Sequence, residues 1–163
     1  MDTLEVTKQL ANKFHFECLV FRHDKTGRTT GDAEKALGIE SKFIIKSLLF
    51  KSSGQEEFVG VIVKGCDKVN IKILKKVSGF KKVRMAHENE ILEKLGYEIG
   101  GITPVIFCEK VIRTFVDNKL LELKSVVGSG GSPFHAMVFD PKLLVSKLGY
   151  KACENLGVAM VSS

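Results

Sequence analysis

The sequence predicts an α/β or α+β fold with a mixed, largely antiparallel sheet. Stretches typical of strands and of helices are intermixed along the chain, and several are joined by hairpin-like connections instead of long crossovers. No repeat and no Pro- or Ser-rich linker divides the 163 residues, a length that suits one domain. We therefore expect a single domain over residues 1–163.

The helices are predicted from the spacing of apolar residues and from residues that favour helix ends. Asn70 and Asp140 are suited to cap a first turn, and glycine follows most of the predicted helices where a C-cap is expected. The predicted helices cover residues 4–14, 30–37, 70–77, 87–95 and 140–149.

The strands are predicted from runs of aromatic and β-branched residues. Residues 43–50 and 58–63 are almost continuously apolar, and a turn at Asp117 and Asn118 joins two shorter runs. The predicted strands cover residues 16–22, 43–50, 58–63, 80–85, 105–108, 113–116, 119–123 and 135–139.

The charge balance is basic, with 25 Lys and Arg against 19 acidic residues, a formal net charge of +6 and a pI near 9.1. Such a balance favours polyanions, nucleic acid among them, but it is also common in proteins with no such partner. No apolar run approaches the ~20 residues of a membrane span, and the N-terminus lacks the apolar region of a secretory signal. We expect a cytoplasmic protein without membrane contact.

The four cysteines give no indication of a metal site. They are scattered, without C-x-x-C spacing, and no histidine stands at zinc-ligand spacing from any of them. We expect reduced, structural thiols, no metal and no cofactor. The cysteines are Cys18, Cys66, Cys108 and Cys153.

Lys46 is the first candidate functional residue, because it interrupts the apolar run at residues 43–50. Lysine is rarely buried without a partner, since removing an ammonium group from water is costly. Either the strand is half exposed and Lys46 reaches solvent, or Lys46 faces a cleft. In a cleft it supplies a positive charge for a phosphate or a developing oxyanion, or carries a proton if its pKa is lowered.

Two glycine-rich segments are further candidates. Gly100 and Gly101 permit close backbone approach, Pro104 stiffens the exit, and amides in such a loop can stabilise an anionic intermediate. The segment at 128–132 has no Walker lysine and opens no helix, which excludes a phosphate loop. For each segment a purely structural turn is the alternative, with Ser129 offering a hydroxyl if the second one lines a pocket.

Among the histidines, His135 follows the second glycine segment and is a candidate for the same cavity, whereas His87 is expected to face solvent and His23 to lie in a loop. No Ser-His-Asp or Cys-His order and no convincing carboxylate pair are visible. A covalent mechanism therefore has no supported nucleophile.

These segments, in this order, resemble the YbaK/ProX family, also called prolyl-tRNA synthetase-associated domains. The similarity spans nearly the whole chain, and GYEIGGITP is similar to a specific family signature of the form G-Y-x-x-G-G-x-x-P. The matching motifs begin at His23 and continue through TTGDAEKALG (29–38), IIKSLLF (44–50), GYEIGGITP (96–104), VVGSGG (126–131) and DPKLLVSKLG (140–149).

The resemblance implies a partly closed sheet surrounded by helices and removal of the amino acid from mischarged tRNA. It implies action in trans beside a synthetase, with Cys or Ala on proline tRNA as substrates and prolyl-tRNA synthetase as a partner. Carried over by position, Lys46 is the functional lysine. The substrate-binding positions so implied are Thr29, Gly100, Gly101, Pro104, Asp117, Ser129, Gly130 and His135.

The expected mechanism is attack on the ester carbonyl by water or by a side-chain group of the substrate, with loop amides and Lys46 stabilising the anion. Two other classes stay open: a non-catalytic module that binds an aminoacyl-tRNA end or a synthetase, and a general small-molecule-binding domain. Asp24 stands where family members often have proline, which leaves the amino-acid specificity open.

Overall fold

A computed structural model describes residues 2–160. The α-helices of the described residues are α1 (Thr3–Lys13), α2 (Thr30–Leu37), α3 (Ile71–Ser78), α4 (Glu88–Leu95), α5 (Ile106–Glu109) and α6 (Leu143–Ser146). The strands are β1 (Leu19–Arg22), β2 (Ile45–Ser52), β3 (Phe58–Lys64), β4 (Asp67–Val69), β5 (Val83–Met85), β6 (Thr114–Asp117), β7 (Val126–Ser129), β8 (His135–Phe139), β9 (Lys151–Cys153) and β10 (Gly157–Ala159). Two 3-10 helices cover Ser41–Phe43 and Asn118–Glu122.

The strands form three sheets. The largest sheet has five strands in the spatial order β5, β2, β3, β6, β9. The second sheet has the order β1, β8, β7, and the third pairs β10 with β4. The pairings of β3 with β6 and of β6 with β9 are parallel, and the other five within the described residues are antiparallel. This confirms the mixed, largely antiparallel prediction.

The sheets remain open at their edges, and the two larger ones meet at one point. A parallel bridge between Ile44 and Val127 places the start of β2 beside β7. Because β5 pairs with β2 only at residues 50–52, the first half of β2 has β3 on one side and faces β7 on the other. The gap between β2 and β7 is where a cavity forms.

The five-stranded sheet separates two hydrophobic cores. Ile45 and Leu49 of β2 pack into the first core, with α1, α4 and α5, while Leu48 and Phe50 pack into the second core, beneath α3. Successive side chains of a strand alternate between faces, so Lys46 shares the face of Leu48 and Phe50. Lys46 therefore lies on the side of the sheet that α3 covers.

Several sequence predictions are wrong at the level of single elements. The run at 105–108, predicted as a strand, is the helix α5, and the predicted strand 119–123 is largely a 3-10 helix. The last predicted helix, 140–149, shortens to α6, preceded by a turn that Asp140 caps by accepting from the Lys142 amide at 2.9 Å. The segment after Gly149, for which no structure was predicted, forms β9 and β10.

Within residues 2–160, no helix is long and apolar enough to cross a membrane.

Candidate functional site

A cavity of about 200 Å³ lies in the gap between β2 and β7. Four segments distant in sequence form its walls: the loop and first turn at 23–30, the start of β2, the loop at 99–102, and the β7–β8 turn. Five of the predicted site residues line it together. They are Thr29, Lys46, Gly100, Ser129 and His135.

Lys46 gives the cavity a positive charge. Its side chain is half-buried, and burial lowers the pKa of its ammonium group, an effect that Asp67 and Cys66 partly oppose. None of the described residues lining the cavity is Asp or Glu. The cavity therefore suits a negatively charged or strongly polarised group.

The first turn of α2 adds to this positive potential. The Thr29 hydroxyl caps the helix by accepting from the Asp32 amide at 3.0 Å, and both Thr29 and Thr30 line the cavity. A helix N-terminus carries a partial positive charge, which favours an anion nearby.

The glycine pair lets three loops approach each other. A Cβ on Gly100 (φ +83°) would lie 2.5 Å from the Arg28 carbonyl oxygen, and one on Gly101 would lie 3.0 Å from Cα of Ser132. Gly100 lines the cavity, whereas Gly101 and Pro104 do not: the Gly101 amide donates to the Glu98 carbonyl at 2.9 Å, and the Pro104 carbonyl accepts from Tyr150. These two predicted residues support the wall from behind.

Two amides of this loop remain available. The backbone N–H groups of Gly100 and Ile102 have no acceptor among residues 2–160, and both residues line the cavity. Amides without internal partners can donate to an oxygen that develops negative charge. The amides next to Gly101, not that of Gly101 itself, are thus the candidate donors.

The second glycine turn forms the facing wall. The Ser129 hydroxyl donates to the Ser132 carbonyl and accepts from the Gly131 amide, both at 3.3 Å. Gly130 lies outside the cavity, where its amide donates to the His135 carbonyl at 2.8 Å and its carbonyl accepts from Thr7 of α1 at 2.6 Å. The turn is thereby held in one shape against α1.

Two histidines line the cavity. Nδ1 of His135 lies 2.6 Å from the Ser132 hydroxyl, which also accepts from the Phe134 amide at 3.0 Å. Burial lowers the pKa of His135, with Arg22 and His23 adding to it, which leaves the ring neutral at pH 7. Nδ1 of His23 donates to the Lys25 carbonyl at 2.6 Å, leaving Nε2 as an acceptor in the neutral ring.

Residues 24–146 match the model of the aminoacyl-tRNA editing domain. The chain belongs to this family. The predicted membership of the YbaK-type editing family is thereby confirmed.

This editing domain is similar to proteins of two kinds. The uncharacterized protein YwhH of Bacillus subtilis (strain 168) is 29% identical over 140 residues, 83% of this chain and 87% of that protein. The proline–tRNA ligases of Stenotrophomonas maltophilia (strain K279a) and Thermosipho melanesiensis are 37% and 33% identical over 68% and 66% of this chain. The matched stretch spans only 20% and 18% of those two ligases.

Solved structures share the fold of this editing domain. A hypothetical protein superposes with a TM-score of 0.84 at 27% identity, over 96% of this chain and all of that one. A proposed trans-editing enzyme for prolyl-tRNA synthetase superposes with a TM-score of 0.79 at 23% identity, over 94% and 96% of the two chains.

Asp117, also predicted to bind substrate, lies outside the cavity of the editing domain. It ends β6 with none of its surface exposed, and its two carboxylate oxygens accept from the amides of Lys119 at 3.1 Å and Gly157 at 3.0 Å. Lys119 also places its ammonium group 3.3 Å from Asp67. These contacts fix the C-terminal strand β10 and give Asp117 a structural environment.

Sequence reasoning missed several residues that line the cavity of the editing domain. They are His23, Arg28, Thr30, Ser47 and Ser132, among others. Most lie in loops without a helical or strand period, although His23 opens the first family motif and was predicted to lie in a loop. Within residues 2–160, no group of three His, Cys, Asp or Glu residues is arranged to hold a metal.

Proposed function

We propose that this editing domain is a trans-acting hydrolase that deacylates mischarged tRNA, with Cys or Ala on proline tRNA as its substrates. One observation carries the proposal: Lys46, a half-buried lysine, lines a small cavity whose described lining residues include no Asp or Glu. A site of this kind stabilises negative charge where water is restricted, and the ester carbonyl of an aminoacyl-tRNA develops such charge when it is attacked.

The proposed reaction needs no covalent intermediate on the protein. Water, or a side-chain group of the substrate, adds to the ester carbonyl, and the carbonyl oxygen becomes an oxyanion. Lys46 and the amides of Gly100 and Ile102 stabilise this oxyanion, each donor contributing about 2.7–4 kcal/mol as in comparable sites. Collapse of the intermediate breaks the ester bond, and the ribose hydroxyl leaves with a proton. The Ser129 hydroxyl donates to the Ser132 backbone carbonyl and not to a base, which argues against Ser129 as nucleophile.

The size and lining of the cavity support a small, uncharged amino acid. A volume of about 200 Å³ is below the usual range for drug-sized ligands, and Leu37, Ile45 and Leu48 form part of the wall. An apolar pocket discriminates by size but only weakly between similar side chains, by about 1–3 kcal/mol per methylene group. Alanine and cysteine therefore both fit the proposal.

The relatives support a partner for this domain. The chain resembles a segment of proline–tRNA ligases and a separate protein proposed to edit in trans. We infer that it acts on tRNA charged by prolyl-tRNA synthetase, beside that enzyme.

The test is a panel of proline tRNAs charged with Cys, Ala or Pro, incubated with wild type and with Lys46→Ala. We expect the wild type to hydrolyse the Cys or Ala ester and the mutant to lose about 10²–10³-fold in rate, since one donor to the anion is removed. Lys151→Ala is the matched control, because Lys151 is an exposed strand lysine outside the cavity; its rate should stay at the wild-type value.

Two results would overturn the proposal. Full activity of Lys46→Ala would remove Lys46 from the mechanism. A wild type that binds charged tRNA or the synthetase without hydrolysing any ester would favour the non-catalytic alternative.

A further inference from the structure

The net positive charge of the chain is concentrated in one short segment. Residues 68–82 contain six lysines and no acidic residue, and we call these lysines the lysine surface. Taking these 6 from the 25 basic residues leaves 19, equal to the 19 acidic residues of the whole chain. The members of the lysine surface are Lys68, Lys72, Lys75, Lys76, Lys81 and Lys82.

All six side chains are exposed, and none belongs to an ion pair formed among residues 2–160. At about 100° per residue, Lys72, Lys75 and Lys76 fall within an arc of about 100° on α3. Leu74 and Val77 lie on the opposite side of α3, packed in the second core. The lysine surface therefore presents unneutralised charge on one side of a fixed helix.

One end of the lysine surface, at Lys68, lies close to the cavity. The turn that leads into β4 packs against the cavity wall, since a Cβ on Gly65 would lie 2.6 Å from the Thr30 side chain. Lys68 follows Gly65 by three residues, a reach of at most about 11 Å. Lys46 also lies on the face of the sheet that α3 covers. A molecule whose end enters the cavity can thus contact the lysine surface with its adjoining part.

We propose that the lysine surface binds the sugar–phosphate backbone of an RNA duplex, which places the acceptor stem of the substrate while its 3′ end enters the cavity. This inference rests on the proposed function, which supplies the RNA. Clustered lysines bind a phosphate backbone through release of its counterions, without regard to base sequence.

The chemistry of the segment favours a duplex backbone over other anionic partners. A membrane-binding helix needs a free apolar face, but the apolar face of α3 is buried in the second core. Protein interfaces favour aromatic residues and Arg over Lys, and the aromatic residue of the segment, Phe80, is only 7% exposed. Buried Phe80 also leaves no platform for stacking single-stranded bases.

The experiment uses an RNA hairpin that has a single-stranded 3′ end and carries no amino acid. Its binding is measured by fluorescence anisotropy from about 50 to about 200 mM salt. The experiment compares wild type with the triple variant Lys72→Glu, Lys75→Glu, Lys76→Glu. The matched control is Lys110→Glu, Lys124→Glu, Lys147→Glu, which changes the net charge equally at exposed lysines on other elements. Thermal unfolding verifies each fold, and a Lys→Gln version of the first triple variant replaces it if the Glu version unfolds.

We expect the first triple variant to raise the Kd at least about tenfold and to lower the slope of log K against log salt by about one per lysine lost. The control should keep the wild-type slope. Equal affinity and slope for the two triple variants would overturn the inference. It would also fail if wild type bound vesicles of phosphatidylserine and phosphatidylcholine, but not the RNA, and the first triple variant lost that binding.

Measuring deacylation of charged tRNA alongside hairpin binding distinguishes failure of this inference from failure of the proposed function. If wild type hydrolyses none of the charged tRNAs but the first triple variant still loses RNA binding, the proposed function fails and the RNA surface stands. If wild type and this variant deacylate tRNA with the same kcat/KM and bind the hairpin equally, the hydrolase stands and the lysine surface loses its role.

Discussion

The ammonium group of Lys46 is subject to opposing influences. Burial lowers its pKa, because the charged form loses hydration, whereas electrostatic interaction with Asp67, and then with Cys66, favours the charged form. Burial dominates, so Lys46 loses its proton at a lower pH than an ordinary lysine, whose pKa is 10.5. If the reaction needs the charged form, activity must fall as the pH rises through this lowered pKa.

We therefore expect the alkaline limb of the kcat/KM profile to belong to Lys46. In Lys46→Arg this limb should disappear, since a guanidinium group stays charged throughout the accessible range, even if the overall rate drops. The measurement is deacylation against pH, with the enzyme-free rate subtracted at each point. Lys151→Arg should keep the limb of the wild type. An unchanged limb in Lys46→Arg would assign it to a different group.

Lys46 also shows how far the local sequence predicts the environment of a single side chain. A lysine within an apolar run indicates either a cleft or a solvent-exposed edge, and the local pattern does not decide between them. The structure has both features, because the side chain is half-buried at the gap between two sheets. His23 shows a different limit: the sequence predicts only a loop position for it, yet it lines the cavity, where its backbone amide donates to the Phe134 carbonyl of the distant β7–β8 turn at 2.8 Å.

At the scale of elements, predictions held where the determining residues are local. Helix α2 covers Thr30–Leu37 as predicted, and Gly38 ends it in the left-handed conformation that a C-cap glycine favours. The strand prediction for residues 105–108 was wrong, because a run of four apolar residues fits a strand or a helix equally. The run 119–123 was wrong because the Asp117 carboxylate accepts from the Lys119 amide and starts a 3-10 turn.

The Tyr150 hydroxyl connects α5 with the loop before it through two hydrogen bonds. Tyr150 donates to the Pro104 carbonyl at 2.6 Å and accepts from the Cys108 amide at 2.9 Å, and burial raises the pKa of its hydroxyl. Pro104 follows directly on the loop that carries Gly100 and Ile102. Tyr150 is thus a positioning residue for the cavity wall, without touching the cavity.

Tyr150→Phe should destabilise the fold by about 1–3 kcal/mol, because a carbonyl and an amide lose their partner in the interior. The kcat/KM of deacylation should fall as well, since the loop amides lose part of their support. Chemical unfolding and steady-state kinetics measure the two effects. Tyr97→Phe is the control, as the Tyr97 hydroxyl has no partner among the described residues. Equal unfolding midpoints for both variants would show that Tyr150 does not brace the loop.

For the whole molecule, the cavity is a product of topology that no local pattern contains. Its segments come together because the β2–β7 bridge sets two sheets side by side and the glycine pair lets the loops touch. The family motifs therefore include Thr29, Lys46 and Gly100, which line the cavity. They do not distinguish residues that line the cavity from residues that hold the cavity wall in place. Gly101 and Gly130 belong to the second group, one residue away from the wall.

A substitution at Asp117 tests whether this residue binds substrate or stabilises the fold. Both of its carboxylate oxygens accept from backbone amides, so in Asp117→Asn the side-chain NH₂ must face one of these donors whichever way it is placed. Lys119, 42% exposed, also loses a charge 3.6 Å away. We expect a loss of about 1.5–3 kcal/mol in urea unfolding, the usual range for charge-assisted hydrogen bonds, with KM for mischarged tRNA unchanged. Glu93→Gln, on the exposed side of α4, should change stability by less than about 0.5 kcal/mol. A raised KM with unaltered stability would instead return Asp117 to the substrate site, and the fixing of β10 would need another cause.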